Sequence, residues 1–418
     1  MKRLAAAILL AVFFLGMSLP IRADWLQFRG PGGLGIAPDK NTPIAWSAEK
    51  NVAWKTALPG PGASSPIIVG NKILVTCYSG YGLNRDEPGE QKNLKRQLVC
   101  VDRQNGTTLW ARDLEVSLPE PPYQSFITLH GYASNTAVSD GKNVWVFTGR
   151  SGVFAFDLDG KQLWHTNVGT GTYYWGVGLS PILYKNTVII NASTEGKAIL
   201  ALDKATGKEV WKTKGINESW STPVLVPVAG GKTELVVSGS HKILGFDPET
   251  GKELWHSDSF NWYVCPTVIA HAGVVYTLQN DTAVAVKAGG RGDVTKTHTV
   301  WQKSFGATVT SMVFHDGHVY WANRGVAYCL KASDGTQVYR ERLKAGGEFY
   351  ASPLLADGKL YFTSRNNGVY VLDASPKFKV LAHNTLDDKS VFNASPAVSQ
   401  SQLILRSDKY LYCIGVTK

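Results

Sequence analysis

The hydrophobic pattern of the chain is a short unit of four apolar segments separated by polar turns. A Ser/Thr-Pro step is followed by a few β-branched residues, a Gly/Asn/Asp turn such as residues 356–359, and a second apolar strand. A third strand ends in Leu-Asp or Phe-Asp, as at Leu202-Asp203, and a tight turn containing Gly precedes a fourth strand that ends in Trp, as at Trp211. Short strands joined by turns that need Gly at positive φ predict a four-stranded antiparallel meander.

This unit occurs eight times along the chain. The Ser/Thr-Pro step or a variant of it marks positions 66, 136, 181, 223, 266, 312, 353 and 396. After a first interval of 70 residues the spacing is 41 to 46 residues, within the range of propeller blades. A lone meander exposes two edges, and radial repetition protects them. The sequence therefore predicts an all-β fold, an eight-bladed β-propeller of four-stranded antiparallel blades over residues 46–418.

The two ends of the chain are predicted to meet in the last blade. The eighth unit ends at residues 413–415 without an outer strand, whereas residues 51–57 contain Trp54 and resemble an outer strand that precedes the first mark. We expect this N-terminal strand to close the ring. The long first interval comes from two polar insertions, Tyr78–Arg96 and Glu115–Gly131. Long loops on a rigid scaffold often carry function, and a solvated decoration is the alternative.

The first residues have the pattern of a targeting segment. Lys2 and Arg3 precede an apolar run over residues 4–19, and Ala23 offers a small residue for cleavage. Residues 1–23 are therefore predicted to be a secretory signal peptide and 24–45 an N-terminal extension. The alternative, a membrane anchor, needs an apolar run of about 20 residues. We expect an exported monomer, periplasmic or extracellular, without a transmembrane segment after cleavage.

The net charge argues against a nucleic acid partner. The net charge of +10 falls to +7 when residues 1–23 are removed, because they contain three basic residues and no acid. This charge forms no basic stripe, so a nucleic acid partner is not expected.

The cysteines do not indicate a full set of disulfides. An odd number of cysteines, five, cannot all pair. Three of them (Cys100, Cys329 and Cys413) stand where other units have Ala or Gly, which indicates a small buried position. No metal site and no catalytic residue is predicted.

Two of the units are good copies of a known repeat. Residues 201–211 read Ala-Leu-Asp-Lys-Ala-Thr-Gly-Lys-Glu-Val-Trp, and residues 245–255 follow the same pattern. They resemble the PQQ-like β-propeller repeat of the quinoprotein alcohol dehydrogenase-like family, and the resemblance extends over residues 46–415. The opening segment, residues 25–31, resembles the start of exported bacterial PQQ-like propellers.

The resemblance implies two kinds of function. One is that of the quinoprotein dehydrogenases, which bind PQQ and calcium. The other is that of non-catalytic propellers such as the BamB type, which assists outer-membrane assembly. The chain has no adjacent cysteine pair, no Cys-x-x-Cys-His haem motif and no lipobox. The Asp residues of the repeat are explained by turn geometry, so none of them is singled out as catalytic.

Aromatic and basic residues are expected on one face, around the mouth of the channel. The aromatics precede the marks, and the basic residues follow the second strand of each unit. The candidate ligand-binding residues are Tyr132, Arg150, Trp175, Trp220, His241, Trp262, Arg324, Tyr350 and Arg365. Aromatic rings with Arg suit a planar or anionic ligand or an acidic peptide. In the alternative interpretation the aromatics wedge between blades and the Arg residues lie in solvated turns.

These observations predict an exported, non-catalytic binding or scaffolding module. Its partner would be an envelope or extracellular protein or peptide, or a small anionic ligand at the channel mouth, and no cofactor is predicted. Two alternatives stay open. One is a PQQ-dependent dehydrogenase that oxidises an alcohol or sugar and needs PQQ and calcium. The other is a carbohydrate-binding propeller.

Overall fold

A computed structural model describes residues 24–415 as eight sheets, one for each sequence unit. Each sheet is a blade with four antiparallel strands, and the blades surround a central channel. The predicted all-β, eight-bladed propeller is confirmed. The predicted signal peptide lies outside the described residues. No helix among residues 24–415 is long and apolar enough to cross a membrane.

The first four blades are given from the inner to the outer strand. Blade 1 contains Ile67–Val69, Lys72–Ser79, Lys95–Asp102 and Thr108–Leu114. Blade 2 contains Val138–Ser139, Asn143–Phe147, Val153–Asp157 and Gln162–Thr166. Blade 3 contains Ile182–Tyr184, Thr187–Ala192, Ala198–Asp203 and Glu209–Lys214. Blade 4 contains Val224–Val228, Lys232–Gly239, Lys242–Phe246 and Glu253–Asp258, with Gly292–Asp293 added in parallel outside it.

The other four blades follow the same order. Blade 5 contains Ile269–His271, Val274–Gln279, Thr282–Lys287 and Thr299–Lys303. Blade 6 contains Val313–His315, His318–Asn323, Val326–Lys331 and Gln337–Arg342. Blade 7 contains Leu354–Ala356, Lys359–Thr363, Val369–Asp373 and Val380–Asn384, with Ile36–Ala37 added in parallel beside its inner strand. Blade 8 contains Ala397–Ser399, Gln402–Arg406, Tyr410–Ile414 and the N-terminal strand Val52–Ala57. The helical segments are short: Pro31–Gly33, Gln91–Asn93, Ser125–Leu129, Gly149–Ser151, Ala229–Gly231 and Thr295–His298.

The N-terminal strand closes the ring as predicted. Val52–Ala57 pairs antiparallel with Tyr410–Ile414, so blade 8 is built from both ends of the described chain. Trp54 lies opposite Cys413, in the register that Trp211 and Ala201 have in blade 3. With this strand, blade 8 has four strands like the other blades.

A ring of hydroxyl groups explains why Ser or Thr recurs before each inner strand. In every blade the N–H of one residue before the inner strand donates to the hydroxyl of the equivalent residue in the next blade, at 2.8 to 3.2 Å. The eight residues of this hydroxyl ring are Ser65, Thr136, Ser180, Thr222, Thr267, Ser311, Ser352 and Ser395. The last bond, from Ser395 to Ser65, joins blade 8 to blade 1.

Two of the sequence marks were misplaced. In blade 5 the hydroxyl comes from Thr267, so the mark at Pro266 is wrong by two residues. In blade 2 Thr136 itself is the ring residue, one position later than the mark assumed. Neither blade has a proline directly after its ring residue, and the hydroxyl is the feature that the structure requires.

The Trp residues of the outer strands lock neighbouring blades together. The indole of Trp164 packs on Gly207 of the next blade, where an added Cβ would lie 2.6 Å from the ring. Its Nε1 donates to the Lys204 carbonyl at 2.9 Å. Trp54, Trp110, Trp211 and Trp301 make the same pair of contacts. The prediction that the outer strand ends in Trp is wrong, because Trp is its third residue.

Blade 4 departs from this pattern. Trp255 packs on Gly245 of its own blade, and its Nε1 donates to Glu234 at 2.7 Å. The added strand Gly292–Asp293 lies beside it.

The first segment of the described chain is a second departure from the repeat. Residues 24–37 contact the inner strands of several blades and thereby cross the channel. The contacts are with Ile68, Ser139, Val224 and Leu355, and with Met312 directly before an inner strand.

Candidate functional site

A cavity of about 170 Å³ lies at the mouth of the channel, against the hydroxyl ring. Its lining has two chemically different parts. The walls are aromatic: Phe28, Phe126, Trp175, Trp220, Tyr263 and Tyr350. The floor contains hydroxyl groups: Ser65, Thr222, Thr267, Ser311, Ser352 and Ser395. A hydroxyl that accepts one backbone N–H still carries an O–H donor and a second lone pair, so the floor can bind polar groups of a ligand.

Four of the six wall aromatics form a continuous cluster of ring contacts. The rings of Trp175 and Trp220 lie 5.0 Å apart, and Tyr263 meets Trp175 edge-on at 4.1 Å. Phe126 meets the other side of Trp175 at 5.2 Å. Trp220 is fixed because its Nε1 donates to the Gly176 carbonyl at 2.8 Å. Rings held this way present a rigid apolar surface that loses little entropy when a ligand binds.

The second insertion of blade 1 covers part of the mouth. Its helical turn Ser125–Leu129 contributes Phe126, Leu129 and the following His130 to the cavity. The Leu129 carbonyl accepts bonds from Arg365 at 3.0 Å and from Asn393 at 2.7 Å. The insertion of blade 1 is therefore tied to the neighbouring blades 7 and 8, and it builds the cavity as well as decorating blade 1.

His130 is held as a neutral imidazole. Its Nε2 lies 2.8 Å from the Trp175 carbonyl, which can only accept, so Nε2 carries the proton. Its Nδ1 lies 2.6 Å from the Ser134 hydroxyl and accepts from it. Burial lowers the pKa of His130 against the opposing effect of the Trp175 carbonyl. The imidazole is therefore uncharged at pH 7.

The whole lining of the cavity is uncharged. Within residues 24–415, no Lys, Arg, Asp or Glu lines it. Burial raises the pKa of Cys265 to about 12 and raises the pKa of Tyr263 and Tyr350. Every titratable lining group is thus neutral at pH 7. A ligand that enters with a net charge would lose its hydration without gaining a counter-charge from the lining.

The structure brings together three of the nine residues predicted to bind a ligand. Trp175, Trp220 and Tyr350 line the cavity. Arg365 lies behind Tyr350, 4.2 Å from the ring centre, and donates to Asn393 at 2.9 Å. It supports the lining from outside.

The other five predicted residues do not line the cavity. Tyr132 is buried among Tyr78, Tyr81 and Tyr123 in the small core of the insertions. Arg150 donates to the Pro119 carbonyl. His241 and Arg324 occupy positive-φ turn positions and are exposed. Trp262 is 67% exposed to solvent. The turn alternative thus describes His241 and Arg324, and ligand binding by Trp175, Trp220 and Tyr350 stays a prediction.

Sequence reasoning missed Phe28, Phe126 and His130. Phe28 belongs to the N-terminal extension, and the other two belong to an insertion, so no repeat position marks them. Their signal would have been an aromatic or His residue in a segment that the repeat does not explain. The N-terminal extension and the insertion are not part of a blade, so they can occupy the central channel.

A buried carboxyl lies near the insertion, outside the cavity. Glu195 is 4% exposed, and neither carboxylate oxygen accepts a bond from another described residue. Burial raises the pKa of Glu195 to about 8, with a smaller contribution from Glu120. The folded protein therefore holds a proton between about pH 4.5 and 8 that the unfolded chain releases, so stability falls as the pH rises through this window.

The Glu195→Gln variant is expected to remove this pH dependence. The amide is nearly isosteric and does not ionise, so the variant should keep between pH 5 and pH 8 the stability that wild type loses when its unfolded chain releases the Glu195 proton. Denaturant unfolding at pH 5 and at pH 8 measures both effects. An equal slope of stability against pH in both proteins would contradict the assignment.

The fold and the cavity define a β-propeller with an aromatic cavity at the channel mouth, and comparison with known proteins places it in a family. The chain matches the sequence profile described as outer membrane protein assembly factor BamB over residues 32–172, 94–261, 195–295 and 291–406. These overlapping matches cover most of the chain. The protein therefore belongs to this BamB-like family of PQQ-type propellers. No curated protein matches the chain significantly.

Solved structures of two functional kinds share the fold. BamB from Moraxella catarrhalis superposes with a TM-score of 0.61 at 12% identity, over 87% of this chain and 98% of that one. Quinohemoprotein alcohol dehydrogenase from Comamonas testosteroni superposes with a TM-score of 0.64 at 13% identity, over 94% of this chain and 81% of that one. A computationally designed protein, Ika8, gives 0.58 at 12% identity, over 86% of this chain and 99% of that one. At these identities the likeness concerns the fold alone.

The residues of the cavity do not fit PQQ with calcium. PQQ is anionic, and the lining offers no cationic side chain to it. Calcium takes six to eight oxygen ligands, typically including carboxylates, and no carboxylate lines the cavity among residues 24–415. The same part of the chain contains no group of three or more His, Cys, Asp or Glu side chains that could hold a metal ion.

Proposed function

We propose that the protein is an exported, monomeric binding module that captures an uncharged sugar ring in the cavity at the channel mouth. The observation that carries this proposal is the combination of aromatic walls, a hydroxyl floor and a lining without charge. Of the ligand classes that the sequence leaves open, the neutral carbohydrate is the one that this chemistry favours.

A sugar matches both parts of the lining. Its ring has apolar C–H faces, which can pack against Trp175, Trp220 and Tyr263. Its hydroxyl groups can exchange hydrogen bonds with the floor and with the Asn393 side chain. The small anionic ligand that the sequence also suggests would be buried without a charge partner in the lining, which is costly.

The surface beside the cavity suits a longer saccharide. Phe126 is 48% and Tyr174 is 50% exposed, and both rings contact Trp175. A second sugar ring could pack on them when the first occupies the cavity. Membership in a family named for outer-membrane assembly supports a place in the cell envelope, where polysaccharides and glycolipids are abundant ligands.

Tryptophan fluorescence can test this proposal directly. The wild-type protein is titrated with glucose, galactose, N-acetylglucosamine and their disaccharides, with glucuronate as a charged analogue, and separately with PQQ plus calcium. We expect saturable quenching by at least one neutral sugar and weaker binding of glucuronate. Absence of saturable binding by every neutral sugar would overturn the proposal, as would tight binding of PQQ with dye-linked oxidation of an alcohol.

A further inference from the structure

The wall of the cavity runs around the whole ring of blades. The segment before the inner strand of every blade contributes at least one lining residue, from Ala63 of blade 1 to Asn393 of blade 8. The insertion of blade 1 adds Phe126, Leu129 and His130 to this wall. A groove for a continuous chain is open at two ends, whereas a wall contributed by all eight blades surrounds a ligand on every side. The cavity is therefore a cup that opens at the mouth of the channel.

The N-terminal segment lies directly below the floor of this cup. Phe28 lines the cavity, and the following residue, Arg29, is 1% exposed. The Arg29 Nη2 donates to the carbonyl of Met312. Met312 directly follows Ser311 of the hydroxyl ring, so the segment occupies the channel at the level of the ring.

Hydrogen bonds fix the segment to opposite sides of the channel. The Ser139 N–H of blade 2 donates to the Leu26 carbonyl at 2.8 Å, and the Leu355 N–H of blade 7 donates to the Gly35 carbonyl at 2.8 Å. Blade 2 stands opposite blade 6, the blade of Met312, in a ring of eight. The segment thus spans the channel, and a ligand in the cavity meets a fixed floor instead of an open passage.

A cup and a groove select different parts of a saccharide chain. An internal residue of a linear chain is linked to two neighbours, and each neighbour needs its own way out of the site. A terminal residue has one neighbour and needs one exit, which the mouth provides. The exposed rings of Phe126 and Tyr174 lie beside this exit, where the second unit of the chain would pass.

We propose that the cavity binds the terminal residue of a saccharide, with its single linkage directed out of the mouth, and excludes internal residues of a chain. This inference rests on the proposed function and names the part of the saccharide that is bound. A free monosaccharide meets the same requirement as a chain end. The ligands are therefore short neutral saccharides and the ends of longer ones.

The length of the saccharide chain tests this inference on the wild-type protein. Chains of two and six units are made from the neutral sugar that binds best (glucose, galactose or N-acetylglucosamine), and both are titrated by tryptophan fluorescence. We expect the affinity per chain to differ by less than about twofold, because both chains have the same number of ends and units outside the site contribute little. A larger gain for the six-unit chain would overturn the inference, since such a chain offers more internal residues.

Retention on a polymer of the same sugar gives an independent measurement. Partial acid hydrolysis raises the number of chain ends while the mass of polymer stays constant. The amount of bound protein should rise in proportion to the number of ends, and a capacity that follows polymer mass alone would contradict chain-end binding. Trp220→Ala is the control variant, because it weakens the cavity wall and should be retained poorly by both polymers.

The two proposals fail in different ways. If no neutral monosaccharide binds, the proposed function is wrong and the chain-end assignment falls with it. If a monosaccharide binds with saturation and the polymer is bound in proportion to its mass, the sugar site stands and the chain-end assignment alone is wrong.

Discussion

Replacing Trp54 with alanine is expected to lower the free energy of unfolding by about 3–5 kcal/mol, the range for deleting a buried Trp or Phe. The Trp54 indole is 9% exposed and packs on Gly106 of blade 1. Its Nε1 donates to the Arg103 carbonyl at 2.9 Å. The variant would leave a cavity at the contact between the last blade and the first. Chemical denaturation followed by far-UV circular dichroism measures the loss.

The matched control for Trp54 is its neighbour Lys55. The Lys55 side chain points to solvent and its ammonium lies 3.9 Å from the Tyr410 ring centre. Lys55→Ala should cost at most about 1 kcal/mol, the value of an exposed cation–π contact. If Trp54→Ala were as mild as Lys55→Ala, the joining of blade 8 to blade 1 through this strand would not contribute to stability as the structure indicates.

Trp220→Ala is expected to weaken sugar binding about thirtyfold. Aromatic residues at the centre of a binding site commonly contribute about 2 kcal/mol, and 1.4 kcal/mol corresponds to a factor of ten. Trp220 lies in the cavity wall beside Trp175 and Tyr263. The variant is tested in the fluorescence titration, with Trp175 and other Trp residues as remaining reporters, or by calorimetry.

Trp262→Ala is the matched control for Trp220→Ala. Both residues precede an inner strand on the same face, but Trp262 is largely exposed and does not line the cavity. Its removal should change the affinity by less than about twofold, since peripheral contacts contribute little. Greater loss from Trp262→Ala than from Trp220→Ala would place the ligand on the outer surface and contradict the cavity assignment.

The architecture was predictable because a periodic sequence repeats the same local physics. In each blade, the hydroxyl before the inner strand bonds to the neighbouring blade. The Trp of the outer strand packs on the turn Gly of the next blade. Thr267 shows the limit of this reasoning. In its blade the proline at position 266 was taken as the repeat mark. The bonds to the neighbouring blades are instead made by the backbone N–H and hydroxyl of Thr267.

The site was only partly predictable because it depends on parts outside the repeat. Trp175, Trp220 and Tyr350 were found, since they precede inner strands and therefore meet at the mouth. The same logic placed Arg150 and Arg324 with them, but Arg150 donates to the Pro119 carbonyl and Arg324 lies in an exposed turn, and neither lines the cavity. The sequence predicts basic side chains among the aromatics of this face, whereas the cavity lining within residues 24–415 has aromatic rings and hydroxyls without Lys or Arg.

The distinction between binding and catalysis depends on this uncharged lining. Propellers of both kinds share the fold, and fold alone does not assign function. A calcium-dependent quinoprotein needs charged groups at the channel, whereas the cavity described here has aromatic rings and hydroxyls. The proposed role as a sugar-binding module follows from the lining and not from the resemblance.

The most direct test of the central claim is a crystal structure of the protein with the neutral sugar that binds best in titration. We expect density for one sugar ring in the cavity, in contact with Trp175, Trp220 and Tyr263, with its hydroxyls bonded to the Ser and Thr floor. Density on the outer surface with an empty cavity, or PQQ with a calcium ion in the channel after soaking with both, would contradict it.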